Sequence, residues 1–110
     1  MIEFRFLIPV NDNDGAVFTP EHDTVFETFI AERFPGLSRE PGLVVGAWRG
    51  KSGQLFHDQS RVYVVALDSV LDAGRLREVL QFARRHYRQE AIFLRYLGLA
   101  EEIRADPEGA

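Results

Sequence analysis

The chain has 110 residues, 45% hydrophobic and 27% charged, which suits one soluble domain with a single core and no need of covalent staples. It has no cysteine, which excludes disulfides, thiolate metal sites and a cysteine nucleophile, and no apolar run near the ~20 residues of a membrane-spanning helix. A net charge of −4 without a basic block argues against nucleic acid as the main partner, and the absence of a secretory signal at Met1-Ile2-Glu3-Phe4-Arg5 points to the cytoplasm.

Ile2 to Val10 reads as a first strand, in which Ile2, Phe4, Phe6 and Ile8 alternate with Glu3, Arg5 and Leu7. The turn cluster Asn11-Asp12-Asn13-Asp14-Gly15 ends it. Thr19-Pro20-Glu21 opens a helix with a hydroxyl cap, proline in the first turn and an early acid, and Val25, Phe26, Phe29 and Ile30 form its apolar stripe. Phe34-Pro35-Gly36 stops that helix. After a loop through Pro41-Gly42, Leu43 to Arg49 predicts a second strand, Gly50-Lys51-Ser52-Gly53 a hairpin turn, and Gln54 to Leu67 a third strand. Asp68 to Asp72 offers caps for a second helix running to Arg88, with the stripe Leu76, Val79, Leu80, Ala83 and Tyr87. Glu90 to Leu97 predicts a fourth strand, and Leu99 to Ala110 a short helical turn and tail.

Strand, helix, strand, strand, helix, strand is an α+β pattern: a ferredoxin-like βαββαβ sandwich, with a four-stranded antiparallel sheet and both helices on one face. The expected domain spans residues 1–99, and residues 100–110 form the tail. The third strand, Arg61 to Leu67, is apolar on both sides and so predicts a central position. Placing Phe4, Phe6 and Ile8 under the helices with Val62, Val64, Ala66, Ile92 and Leu94 leaves Leu7, Tyr63, Val65, Leu67, Phe93 and Leu97 on the open face. Six large apolar residues exceed what a monomer ordinarily exposes, so a homodimer through that face is expected, with the carboxy-terminal tail as the alternative cover.

Several polar groups invite chemistry. Aligning Gly15 with the glycine of a calcium loop gives Asp12, Asp14 and Glu21 ligand positions, but the first ligand would be Val10, so the segment reads as a strand-to-helix turn. His57-Asp58 alternate across a strand and His22-Asp23 sit in a first helical turn, so no metal site is expected; His86 ends the second helix, where it suits the dipole. Glu90 opens the last strand on the helix side, as a general acid or base or as a structural acid. Arg5, Arg61 and Arg95 can converge on the open face near Tyr63 and Trp48, for a carboxylate or phosphate or for acids across a dimer. The hairpin register that decides the face of Trp48 stays open.

The turn Phe34-Pro35-Gly36, the strand Gly46-Ala47-Trp48-Arg49, the run Asp58-Gln59-Ser60-Arg61-Val62 and the junction Tyr87-Arg88-Gln89-Glu90-Ala91-Ile92 together resemble a small bacterial family of uncharacterised ferredoxin-like proteins. The resemblance covers most of residues 2–99, implies fold and domain extent without an activity, and marks Trp48, Asp58, Ser60, Gln89 and Glu90 for attention. An acylphosphatase loop after the first strand and the RNA-recognition motif on the third are missing, and Asp14-Gly15 only weakly resembles the turn of amino-acid-binding regulatory domains. Two functions follow as expectations. One is a homo-oligomeric module that binds a small anionic metabolite or a protein partner through Arg5, Trp48, Arg61, Tyr63, Arg95 and Gln89. The other is a small cofactor-free enzyme with Glu90, Asp58 or Tyr63 as acid/base group in an inter-subunit cavity.

Overall fold

A computed structural model describes residues 1–89 and 91–99, with Trp48 and Phe56 described through their backbones only. In chain order it contains β1 (Ile2–Pro9), α1 (Pro20–Ala31), β2 (Gly36–Arg39), β3 (Val44–Arg49), β4 (Leu55–Leu67), a 3-10 turn (Val70–Asp72), α2 (Ala73–His86) and β5 (Leu94–Leu99). All strand pairs are antiparallel: β4 and β1 lie inside, β5 flanks β1, and β2 and β3 follow one another along the far side of β4. The architecture is α+β with five strands rather than the four expected. The fifth arises because the chain already pairs with β4 at Gly36–Arg39, breaks at Pro41 and Gly42 (φ +83°), and resumes at Val44. Proline has no N–H for a ladder and the left-handed glycine turns the backbone out of it. Among the described residues no helix is long and apolar enough to cross a membrane.

The predicted cap of α1 forms: Thr19 Oγ1 accepts from the His22 N–H at 3.2 Å, ahead of Pro20. Of the caps expected for the second helix, Ser69 caps the 3-10 turn before it, and Asp72 at the start of α2 makes no side-chain cap hydrogen bond. The stripe of α2 is buried as expected. On α1, Phe26 and Ile30 are buried but Val25 is exposed, and its place toward the core is taken by Asp23, only 4% exposed. The last strand starts four residues later than expected, at Leu94, although the Phe93 carbonyl already accepts from the Leu7 N–H.

Both helices pack on the same sheet face, over Phe4, Phe6, Ile8, Tyr63, Val65 and Leu67. This inverts the expected face of β4. The ladder sets Phe6 opposite Tyr63 and Phe4 opposite Val65, so these partners share the helix side, and the rings of Phe6 and Tyr63 stack at 5.5 Å. Val62, Val64 and Ala66 take the other face, opposite Leu7, Arg5 and Glu3. A strand apolar on both sides carries no pattern of its own to fix its face; the pairing with β1 decides it. On that far face Leu7 and Val62 are buried, Val64 is half-buried and Phe93 is exposed. The tail expected as an alternative cover lies, from residue 100 onward, outside the described residues.

A column of rings joins the two helices. Phe18, His22, His86, Phe82 and Phe29 stack in sequence, with His22 and His86 3.7 Å apart at 14°, and the Arg33 guanidinium closes the end 3.6 Å over Phe29. His22 Nε2 donates to the His86 carbonyl and His86 Nε2 to the His22 carbonyl, each at 2.8 Å. A carbonyl only accepts, so each ring has a proton on Nε2.

Candidate functional site

The polar groups fall into two sets on opposite faces of the sheet. Under α1, two carboxylates one helical turn apart each hold a tyrosine and an arginine. Asp23 accepts from the Tyr87 hydroxyl at 2.7 Å and pairs with Arg61; Glu27 accepts from the Tyr63 hydroxyl and from Arg39 at 3.2 Å. The spacing of four residues on α1 puts both carboxylates on one side of the helix, above the side chains rising from β4. Burial is the main cause that pushes both tyrosine hydroxyls far above their ordinary pKa, reinforced by Glu27 for Tyr63 and by Asp23 for Tyr87. Arg39 is held above its usual value, first by its hydrogen bond to Tyr63 and then by the charge of Glu27. Arg39 and Arg61 also line a cleft of about 340 Å³ with Glu40, Pro41, Gly42 and Leu43, while Glu27 borders a second groove of about 360 Å³ beneath α1. Every charged group of this set has its counter-charge in place, so the set is suited to fixing α1 and the end of α2 on the sheet.

The far face is different. Arg5 and Arg95 stand directly opposite one another across β1 and β5, among Leu7, Val62 and Val64. Among the described residues neither arginine has an ion-pair partner, and the Nε of Arg5 is buried without a hydrogen bond. Of the three arginines expected to converge, the structure therefore brings two together. Arg61 and Tyr63 lie on the helix side instead, because their parity on β4 follows Phe6 and Ile8 of β1.

The remaining sequence candidates are dispersed. The open question of hairpin register is settled at the backbone: Val44 pairs with Ser60, which also faces Pro9 of β1, while Gly46 pairs with Asp58 and Trp48 with Phe56 on the part of the β3–β4 hairpin that runs beyond β1. Asp58 is half-buried and Ser60 buried. His57, opposite Ala47, is exposed. Asp12 spends one carboxylate oxygen on the backbone N–H groups of Asp14 and Ala16, each at 2.9 Å, which makes its loop a self-satisfied turn. Among the described residues no three side chains gather as metal ligands.

The helix end before Glu90 has its own geometry. The Gln89 N–H donates to the Arg84 carbonyl and the Arg88 N–H to that of Arg85, a Schellman closure with Arg88 at φ +53° where glycine is usual. The Gln89 side-chain amide donates to the Tyr87 carbonyl at 2.9 Å. Glu90 itself lies outside the described residues.

Sequence reasoning missed Asp23, Glu27 and Arg39. A signal existed: Asp23 sits three and seven residues before Phe26 and Ile30, in line with the core stripe, where an acid must find partners.

Fold and polar sets together define a small α+β protein with a paired-arginine sheet face. The chain has no match among protein-family models and no significant match among curated proteins. Its fold is that of a phage SAM lyase. The structure of that enzyme in complex with S-methyl-5'-thioadenosine superposes with a TM-score of 0.63 at 22% identity, covering 84% of this chain and 77% of the lyase. The apo enzyme superposes with a TM-score of 0.64 at 18% identity, covering 88% of this chain and 79% of the lyase.

Proposed function

We propose that this chain is a ferredoxin-like, homo-oligomeric enzyme that binds an S-adenosyl sulfonium and cleaves it to a thioadenosine without a cofactor. The shared fold carries the reading: it extends over more than four-fifths of the chain, and the neighbour's ligand is S-methyl-5'-thioadenosine. Supporting it further, the sheet order β2-β4-β1-β5 with β3 also on β4 is compatible with a ferredoxin-like sheet if β2 and β3 are counted as one interrupted strand.

S-methyl-5'-thioadenosine is S-adenosylmethionine less its four-carbon amino-acid arm. Breaking the bond between the sulfonium and that arm sends the bonding pair to sulfur, which leaves as a neutral thioether. Neither a redox partner nor a proton for the leaving group is needed. In the same step the carbon that loses sulfur gains a new pair: either a carboxylate base takes a proton from the adjacent carbon and that C–H pair forms a C=C bond, or the arm's own carboxylate oxygen attacks and closes a lactone. Both routes need an oriented arm and a site that stabilises charge as it redistributes. Our reading gives the acid/base role to Glu90, which follows the Schellman closure at Arg88-Gln89, or to Asp58. Tyr63 is sealed under α1 with its hydroxyl committed to Glu27, which leaves it no access to a substrate.

The test is incubation of the purified chain with S-adenosylmethionine and chromatography of the thioadenosine formed, for the wild type, Glu90→Gln and Asp58→Asn. Enzyme-dependent product, lost at least ~100-fold in one variant whose melting temperature is kept, supports the reading. Product formation at the enzyme-free rate rejects it. A second reading, a non-catalytic module for an anionic metabolite or protein partner, is favoured by the arginines on the far face; ligand binding without turnover is the result that would select it.

A further inference from the structure

We infer that Arg5 and Arg95 form a carboxylate-recognising subsite on the sheet face away from the helices. Residues directly opposite in an antiparallel pair hold their Cβ atoms roughly 5 Å apart, and like charges there destabilise the ladder. The ladder carries that repulsion here. The arginines that do have an acid beside them among the described residues are Arg61 with Asp23, Arg39 with Glu27, Arg88 with Asp12, and Arg33 with Glu32 and the face of Phe29. Glu3, two residues from Arg5 on the same face, makes no ion pair with either arginine among the described residues. The Nε–H of Arg5 is buried and unbonded, and a donor in that state is costly unless something arrives to accept from it. Its surroundings, Leu7, Val62 and Val64, are apolar, which strengthens any charge-assisted hydrogen bond made there.

Two guanidinium forks side by side match the two oxygens of a carboxylate. The identity of the molecule that carries the carboxylate rests on the function proposed above. S-adenosylmethionine has an α-carboxylate on the arm that is cleaved; S-methyl-5'-thioadenosine has none. A subsite of this kind holds the substrate by its arm and loses its grip on the nucleoside once the arm has left.

The experiment compares S-adenosylmethionine and S-methyl-5'-thioadenosine by isothermal titration calorimetry against the wild type, Arg5→Gln and Arg95→Gln. A loss of at least tenfold in affinity for the carboxylate-bearing ligand, with affinity for the other kept within about twofold, is the expected result. Equal weakening of both ligands, or no weakening of either, overturns the subsite. Arg95 is exposed, so its variant keeps the test meaningful if Arg5→Gln folds poorly. Should the wild type bind neither nucleoside, the functional reading fails, and the subsite is decided separately by nitrogen-15 NMR of the arginine Nε–H groups with methionine and inorganic phosphate as probes. Saturable shifts of the Arg5 and Arg95 signals with methionine uphold it. Flat signals, or a response to phosphate alone, refute it.

Discussion

Asp23→Ala is the substitution on which the packing of α1 depends most. It removes a carboxylate that is 4% exposed and is bound by Tyr87 and Arg61. The Tyr87 hydroxyl is then buried without an acceptor, at a cost of about 1–3 kcal/mol. Arg61 loses its counter-charge, but its side chain is 26% exposed and reaches water, so its share falls below the ~3–5 kcal/mol of breaking a fully buried pair. Together these give about 3 kcal/mol. Unfolding entropy of ~2.1 cal/mol/K per residue makes that a fall of about 13 °C in Tm for a chain this long. Tyr87→Phe removes only the donor and leaves Asp23 its arginine, for about 1 kcal/mol. The double variant is expected to be no less stable than Asp23→Ala alone, because the orphaned hydroxyl has gone with the carboxylate. Urea unfolding followed by circular dichroism measures all three, at unchanged m value. If Asp23→Ala stays within 1 kcal/mol of the wild type, or if the two single effects add, the buried network does not act as described.

Three further outcomes follow from the same structure. Burial raises the pKa of Tyr63 and Tyr87 well above the unfolded value near 10, so above pH 10 the unfolded chain releases protons that the folded one keeps; stability is complete below pH 10 and falls above it by up to about 2.7 kcal/mol per pH unit, and tyrosinate absorbance from these two residues should appear only with unfolding. His86→Ala deletes the central ring of the column and the donor to the His22 carbonyl, at about 2 kcal/mol, whereas His86→Phe keeps the stacking and loses only the hydrogen bond, at about 1 kcal/mol; equal losses in urea unfolding would argue against the stack. Arg88→Gly relieves a left-handed residue at φ +53° and gives up a long 3.8 Å contact between an exposed guanidinium and Asp12, so it should gain about 0.5–1 kcal/mol; a loss would mean that the arginine has a role beyond closing the helix.

The elements with a strong local pattern were legible in the sequence: the alternation of β1, the cap and proline of α1, the stripe of α2, and the glycine turn before β4. Local pattern could not fix what long-range pairing decides. The residues of β4 are apolar on both sides, so only the ladder with Phe4 and Phe6 shows that Tyr63, Val65 and Leu67 belong to the helix face. β2 was missed because four residues, Gly36-Leu37-Ser38-Arg39, between a proline turn and Pro41-Gly42 are too few to show a period. In the candidate sites, Arg5 and Arg95 were visible as exceptions within an apolar pattern, and the register brings them together. Arg61 looked the same from the sequence, but its parity carries it to Asp23. Asp23 was passed over because an acid in a first helical turn already has a sufficient reason to be there.

The proposed action of this chain on an S-adenosyl sulfonium can be measured directly. The direct measurement is the amount of S-methyl-5'-thioadenosine released when the purified wild-type chain is mixed with excess S-adenosylmethionine and sampled over time. Release of many equivalents per chain, at a rate proportional to protein concentration, is expected. Recovery of the S-adenosylmethionine intact, with no heat of binding in a parallel calorimetric titration, would contradict the claim.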